Sequence, residues 1–205
     1  MDYFSKSRIE AFSDGVFAII VTLLVLEIKV PHLEQPESVA ELWRALLGLM
    51  PKVISWIISF LIVCVIWVNH HRILSQIEHI THGFFWLNAV LLLWCSFIPF
   101  PTALVGDYIS NPLALCAFGI ILALMALTFT IIRWHALAHP AVLKPGTDLG
   151  HYRTATTRSL IFGPGLYMAG SGLAFVHPWL SVGIYAFIPL YFIFYNSART
   201  VEGVS

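Results

Sequence analysis

Apolar residues in this chain fall in runs too long for strands and too continuous for half-buried surface helices. The runs cover 9–30, 51–71, 84–104, 113–132, 160–176 and 180–195, and each is interrupted only by scattered polar residues. A helix needs about 20 mainly apolar residues to cross a bilayer. The pattern predicts an all-α membrane protein with six transmembrane helices, forming one domain over 1–205. Pro31 closes the first run, and Pro51 suits the first turn of the second. Pro99 and Pro101 must break or kink the end of the third. The fifth run is the weakest, because Gly163-Pro164-Gly165 interrupts it and Gly170 and Gly172 add small residues that allow close packing. Between the first two spans, Glu34, Glu37, Glu41 and Arg44 alternate with Leu42, Trp43, Leu46 and Leu47, the pattern of a short interfacial helix.

Composition narrows the function. Of 205 residues, 59% are hydrophobic and 11% charged, whereas a soluble domain carries about 25% charge. Such a surface cannot face water on most sides, which excludes a conventional cytosolic enzyme. Eleven Lys and Arg balance eleven Asp and Glu, so no basic nucleic-acid-binding domain is expected. Six spans leave no room for a separate catalytic domain, and no nucleophile and base share one depth. Cys64, Cys95 and Cys116 lie inside apolar runs without ligand spacing and read as small buried hydrophobes. Nine histidines are present, but His70 and His71 point to different sides of a helix. His79 and His82 lack an acidic helix partner and no HExxH occurs, so no metal or other cofactor is expected. The opening Met1-Asp2-Tyr3-Phe4 is not basic and the first run is too long for a cleaved leader, so that run is expected to be retained as a span.

Orientation follows from the basic residues. With a cytoplasmic N-terminus the inner segments hold Lys6, Arg8, Arg72, Arg133, Lys144, Arg153, Arg158 and Arg199, and the outer ones Lys29, Arg44 and Lys52. This bias predicts both termini on the cytoplasmic side of the plasma membrane. No span carries an arginine series of the voltage-sensing kind.

The chemistry concentrates in the first helix. Asp14 lies beyond comfortable snorkelling reach for so short a side chain, and a carboxylate at that depth needs a partner. Arg8, Phe12, Gly15, Ile19, Thr22, Leu23 and Leu26 recur every three to four residues as one stripe. Asp14 points away from it, toward a flank, and Ile20 is expected to face lipid. The stripe is expected to face a symmetry axis or a neighbouring helix, and periodicity alone favours ordinary packing against another helix. The second span ends in Trp67-Val-Asn69-His70-His71 at the depth where the first begins, so Asn69, His70 or His71 can donate to Asp14 or Ser13. The same histidines would also serve as helix-end groups among lipid headgroups.

Arg8-x-x-x-Phe12-Ser13-Asp14 followed by an aliphatic helix resembles the signature of the TMEM175 family of potassium channels, in its short bacterial form. Trp67-x-x-His70-His71 is similar to a second family feature. The resemblance spans essentially the whole chain and implies a homotetramer of six-helix subunits whose first helices line one pore, without a re-entrant carbonyl filter. It implies a hydrophobic constriction at Ile19 with further layers at Leu23 and Leu26, and a potassium preference linked to Thr22. Arg8, Phe12, Ser13 and Asp14 would brace the cytoplasmic helix ends. The chain itself lacks a TVGYG-type loop, so selection would rest on pore width, wetting and hydroxyls. Potassium and other monovalent cations would be the permeant species. The alternative is a proton-coupled or solute transporter using Asp14, His70 and His71 as a relay.

Overall fold

The computed structural model describes residues 5–202, with side chains through residue 194. The opening Met1 to Phe4, and the Arg199 side chain counted for orientation, lie outside the described residues. Helix α1 runs Lys6–Leu23 and tightens into a 3-10 turn, Leu24–Glu27. α2, Val39–Gly48, is capped by Ser38, whose hydroxyl accepts from the Glu41 N–H at 3.3 Å, and none of its residues is buried. α3 is the long helix Met50–Gln76, with Pro51 in its first turn. α4, His82–Phe97, starts at Thr81, whose hydroxyl accepts from the Phe84 N–H. α5, Pro99–Asp107, continues it after a break at Ile98. Pro99 and Pro101 lack N–H groups, and Ile98 closes its turn onto the Cys95 carbonyl, so the break falls before the prolines. α6, Pro112–Ala138, is capped by Asn111 and is the most buried of the long apolar helices.

The prediction of six transmembrane helices is corrected here. Four described helices are long and apolar enough to cross a membrane: Lys6–Glu27, Met50–Gln76, His82–Asp107 and Pro112–Ala138. The predicted fifth span, 160–176, is divided among the end of the polar helix α7, Leu149–Leu160, a π turn at Ile161–Gly165 and the eight-residue α8, Leu166–Leu173. Pro164 removes a backbone donor and widens the turn. From 160 to 173 the rise is only about 21 Å, short of the ~30 Å hydrocarbon core. The predicted sixth span lies in α9, Pro178–Glu202, whose apolar part Pro178–Phe194 is likewise shorter than a full span.

Polar contacts fix which ends lie together. At one end Lys6 Nζ donates to the Ile77 carbonyl at 2.7 Å, Lys144 N–H donates to the Gln76 carbonyl, and Glu78 N–H donates to that of Val142. This gathers the start of α1, the ends of α3 and α6, and the loop before α7 at a basic end. At the opposite end Lys52 Nζ lies 2.6 Å from Asp107 Oδ1, joining α3 to α5. Ser59 and Thr102 share a buried hydroxyl contact of 2.7 Å between the same two helices. α9 enters beside the start of α6, where the Tyr185 hydroxyl donates to the Leu115 carbonyl at 3.0 Å, and runs toward the basic end. A Cβ at Gly119 or Gly170 would overlap the Tyr185 side chain, so these two glycines let α6, α8 and α9 approach.

Candidate functional site: the first helix and its bracing

α1 buries one face and leaves the other open. Ile9, Ser13, Phe17, Ile20 and Leu24 recur at helical spacing and are buried against α3 and α4. Ile20, expected to face lipid, is only 2% exposed, because it belongs to this inner face. The stripe lies elsewhere on the helix: Phe12 is 65%, Ile19 58%, Leu23 43% and Leu26 58% exposed on the protomer. Thr22 sits among them, and its hydroxyl donates back to the carbonyls of Ile19, at 2.9 Å, and Ala18, at 3.1 Å. Its proton is therefore committed inward, and the oxygen has only lone pairs left to offer outward.

Two ties hold the lower half of α1 to its own protomer. Trp67 Nε1 donates to Asp14 Oδ1 at 2.8 Å from the exposed flank of α3. Ser13, fully buried, is held by a three-helix chain: Asn88 Nδ2 on α4 donates to Ser13 Oγ at 3.0 Å, and Asn88 Oδ1 accepts from His70 Nε2 on α3 at 2.7 Å. Because the Asn88 amide nitrogen is spent on Ser13, its oxygen faces the imidazole, which fixes the His70 proton on Nε2. The His70 ring packs at 5.4 Å from that of Phe17, one turn further along α1. Ser13, Asn88 and His70 each have a partner within this network, the condition under which buried polar groups strengthen a core.

The placement corrects part of the sequence reading. His70 reaches Ser13 only through Asn88, and Asp14 is met by Trp67. Asn69 turns its amide back to the Val65 carbonyl at 2.9 Å, one helical turn earlier, so it joins neither tie. His71 is exposed, one helical turn beyond Trp67 on the same side of α3. Arg8 and Phe12 lie on the exposed side of α1, and among the described residues the Arg8 side chain makes no hydrogen bond or ion pair. Asn88 was missed, and its signal was an amide about one turn inside the apolar run 84–104, where an uncompensated polar group is costly. Among the described residues no three His, Cys, Asp or Glu side chains gather where a metal ion could sit.

The geometry is that of a helix anchored on one face and offered on the other. The family model for the endosomal/lysosomal potassium channel TMEM175 matches residues 8–99, from α1 into α5. A potassium channel of Chamaesiphon minutus is 44% identical over 195 residues, covering 93% of this chain and 95% of the relative. One of Streptomyces collinus is 34% identical, covering 91% of each. The crystal structure of a lysosomal potassium-selective channel TMEM175 homolog from Chamaesiphon minutus superimposes with a TM-score of 0.81 at 40% identity, over 92% of this chain and 96% of that one. Similarity of this extent, over more than nine-tenths of both chains and with the anchored first helix inside the matched region, means that the chain belongs to the TMEM175 family.

Proposed function

We propose that this protein is the subunit of a potassium-preferring cation channel in a bacterial plasma membrane, with the basic end and both termini facing the cytoplasm. Four copies assemble so that their α1 stripes meet on one axis. The observation that carries this reading is the two-faced first helix: an apolar stripe left exposed by the described residues, on a helix whose opposite face is locked by buried contacts. Ile19, Leu23 and Leu26 form successive apolar layers. A cation stripped of water finds no compensating ligand among them, so the narrowest layer controls conduction by wetting. Thr22 supplies the polar interruption. With its proton held by the α1 backbone, four such hydroxyls present oxygen to the axis and favour a partly dehydrated cation.

The Trp67–Asp14 and His70–Asn88–Ser13 ties keep the lower part of α1 at a fixed rotation, so the stripe stays on the axis. Arg8 and Phe12, exposed on the protomer, would brace neighbouring copies. The reading assigns no catalytic residue and no cofactor; potassium is the permeant ion. The test is reconstitution of the purified chain in liposomes with opposed potassium and sodium gradients. The reversal potential should lie toward the potassium value, and current should grow almost linearly with driving force. Saturating flux coupled to a proton or second solute would replace the channel by a transporter built on Asp14 and His70.

A further inference from the structure

α3, α6, α7 and α9 line a partly open cavity of about 980 Å³, and no residue of α1 lines it. It is therefore separate from the proposed pore. Its wall changes character along the helices. On α3 the lining passes from Ile62 and Ile66 to Asn69 and Arg72, and on α6 from Phe129 to Arg133. The ends of α3 and α6 lie together, so both changes occur toward the basic end. Ile188 of α9 extends the apolar part, and Tyr152 of α7 lines the polar part.

The polar end carries the guanidinium groups of Arg72 and Arg133. Neither Arg72 nor Arg133 is paired with a carboxylate among the described residues. Arg133 Nε donates to Thr156 Oγ1 at 3.1 Å, and one terminal nitrogen donates to the Tyr152 carbonyl at 3.4 Å, with the guanidinium 4.4 Å from the Tyr152 ring centre. These bonds use two of its five N–H donors and leave three. Tyr152 is only 2% exposed, yet among the described residues its hydroxyl has no hydrogen-bond partner. Asp148 also lines the cavity, and its carboxylate caps α7 by accepting from the His151 N–H at 3.0 Å.

We propose that this cavity binds an anionic amphiphile, with an acyl chain among Val65, Ile66, Phe129 and Phe162 and a phosphate or carboxylate head at Arg72 and Arg133. A small anion would satisfy the guanidinium groups but leave the apolar wall wet. A zwitterionic lipid would fill the wall but bring its own cation beside two arginines. An acidic phospholipid of the surrounding bilayer meets both demands at once, with charge-assisted bonds at the head and apolar burial along the chain. Asn69, one residue before His70, lines the same cavity, so the ligand lies against the helix that braces α1.

Native mass spectrometry of the purified full chain, titrated with phosphatidylglycerol, with phosphatidylcholine of the same acyl chains and with glycerol phosphate, tests this. Phosphatidylglycerol should be retained at least tenfold more than phosphatidylcholine, and glycerol phosphate should not be retained. Arg72→Gln should remove the preference, while Arg153→Gln, exposed on α7 outside the cavity, should keep it. Ala155→Phe should block both lipids, and Val65→Phe from the facing helix serves if that variant does not fold. Equal retention of the two lipids overturns the proposal, as does equal loss from Arg72→Gln and Arg153→Gln. Retention of glycerol phosphate as strong as that of the lipid would reduce the cavity to an anion site. None of these readouts depends on ion flux, so the channel reading stands or falls separately.

Discussion

Asn88 joins α1, α3 and α4 through one amide, and its removal exposes the logic of the brace. Asn88→Ala leaves the Ser13 hydroxyl and the His70 N–H without partners in a buried site. Each such orphan costs about 1–3 kcal/mol, and measured interhelical bonds in membranes fall toward the lower part of that range. The unfolding midpoint in detergent should drop clearly for Asn88→Ala and only slightly for Trp67→Phe, whose bond to Asp14 is exposed. Equal midpoints for Asn88→Ala and the parent protein would remove the network from the account. Ile19 and Ile20 give a second residue-scale contrast. Ile19→Asn places an amide on the open stripe and should raise conductance while weakening discrimination against sodium. Ile20→Asn buries that amide in the core, so it should lower the yield of folded protein. Conductance unchanged in folded Ile19→Asn channels would move the constriction to Leu23 or Leu26. Thr22→Val, which removes the proposed hydroxyl layer, should lower the potassium to sodium permeability ratio without raising conductance.

At the scale of elements, α8 is held by the close approach of Tyr185 rather than by its own length. Gly170 and Gly172 were equivalent as small residues in the sequence, but the structure separates them. A Cβ at Gly170 would meet the Tyr185 ring, whereas one at Gly172 meets nothing within 4 Å. Gly170→Ala should therefore destabilise by roughly 1–3 kcal/mol through overpacking. Gly172→Ala should be neutral or stabilise by about 0.5–1 kcal/mol, because alanine loses less backbone freedom in a helix. Thermal melts of the two variants in one detergent check this, and similar losses from both would mean that helix packing at Tyr185 is not the constraint.

For the whole molecule, the exposed stripe and the basic end make linked demands. α1 and α3 are each less than a third buried inside the protomer, so much of their surface must face lipid or other copies. Native mass measurement should find a tetramer, and a stable monomer or dimer would exclude a four-helix axis. Lys6, Arg72, Arg133 and Lys144 gather at the end opposite Lys29 and Lys52, the asymmetry that sets orientation in membranes. External thiol labelling should reach Glu37→Cys and spare Arg153→Cys in intact cells. The reverse pattern would invert the topology.

The sequence by itself determined that the chain is helical and membrane-embedded, which residues of α1 share a face, and that Asp14 needs a partner. These follow from run length, a 3.6-residue period and the cost of unpaired polar groups in hydrocarbon. It also marked the weakness at Gly163-Pro164-Gly165, but counted that segment and the last as full spans because hydropathy measures apolarity without measuring continuous helix. Only the tertiary structure decided which partners serve. Ser13 and Asn88 lie 75 positions apart, and His70 and Asn88 lie 18 apart. Whether their side chains meet depends on the relative depth and rotation of three helices. Likewise, periodicity placed Ile19 and Ile20 on different faces, and only the packing of α1 against α3 and α4 decided which of those faces is core.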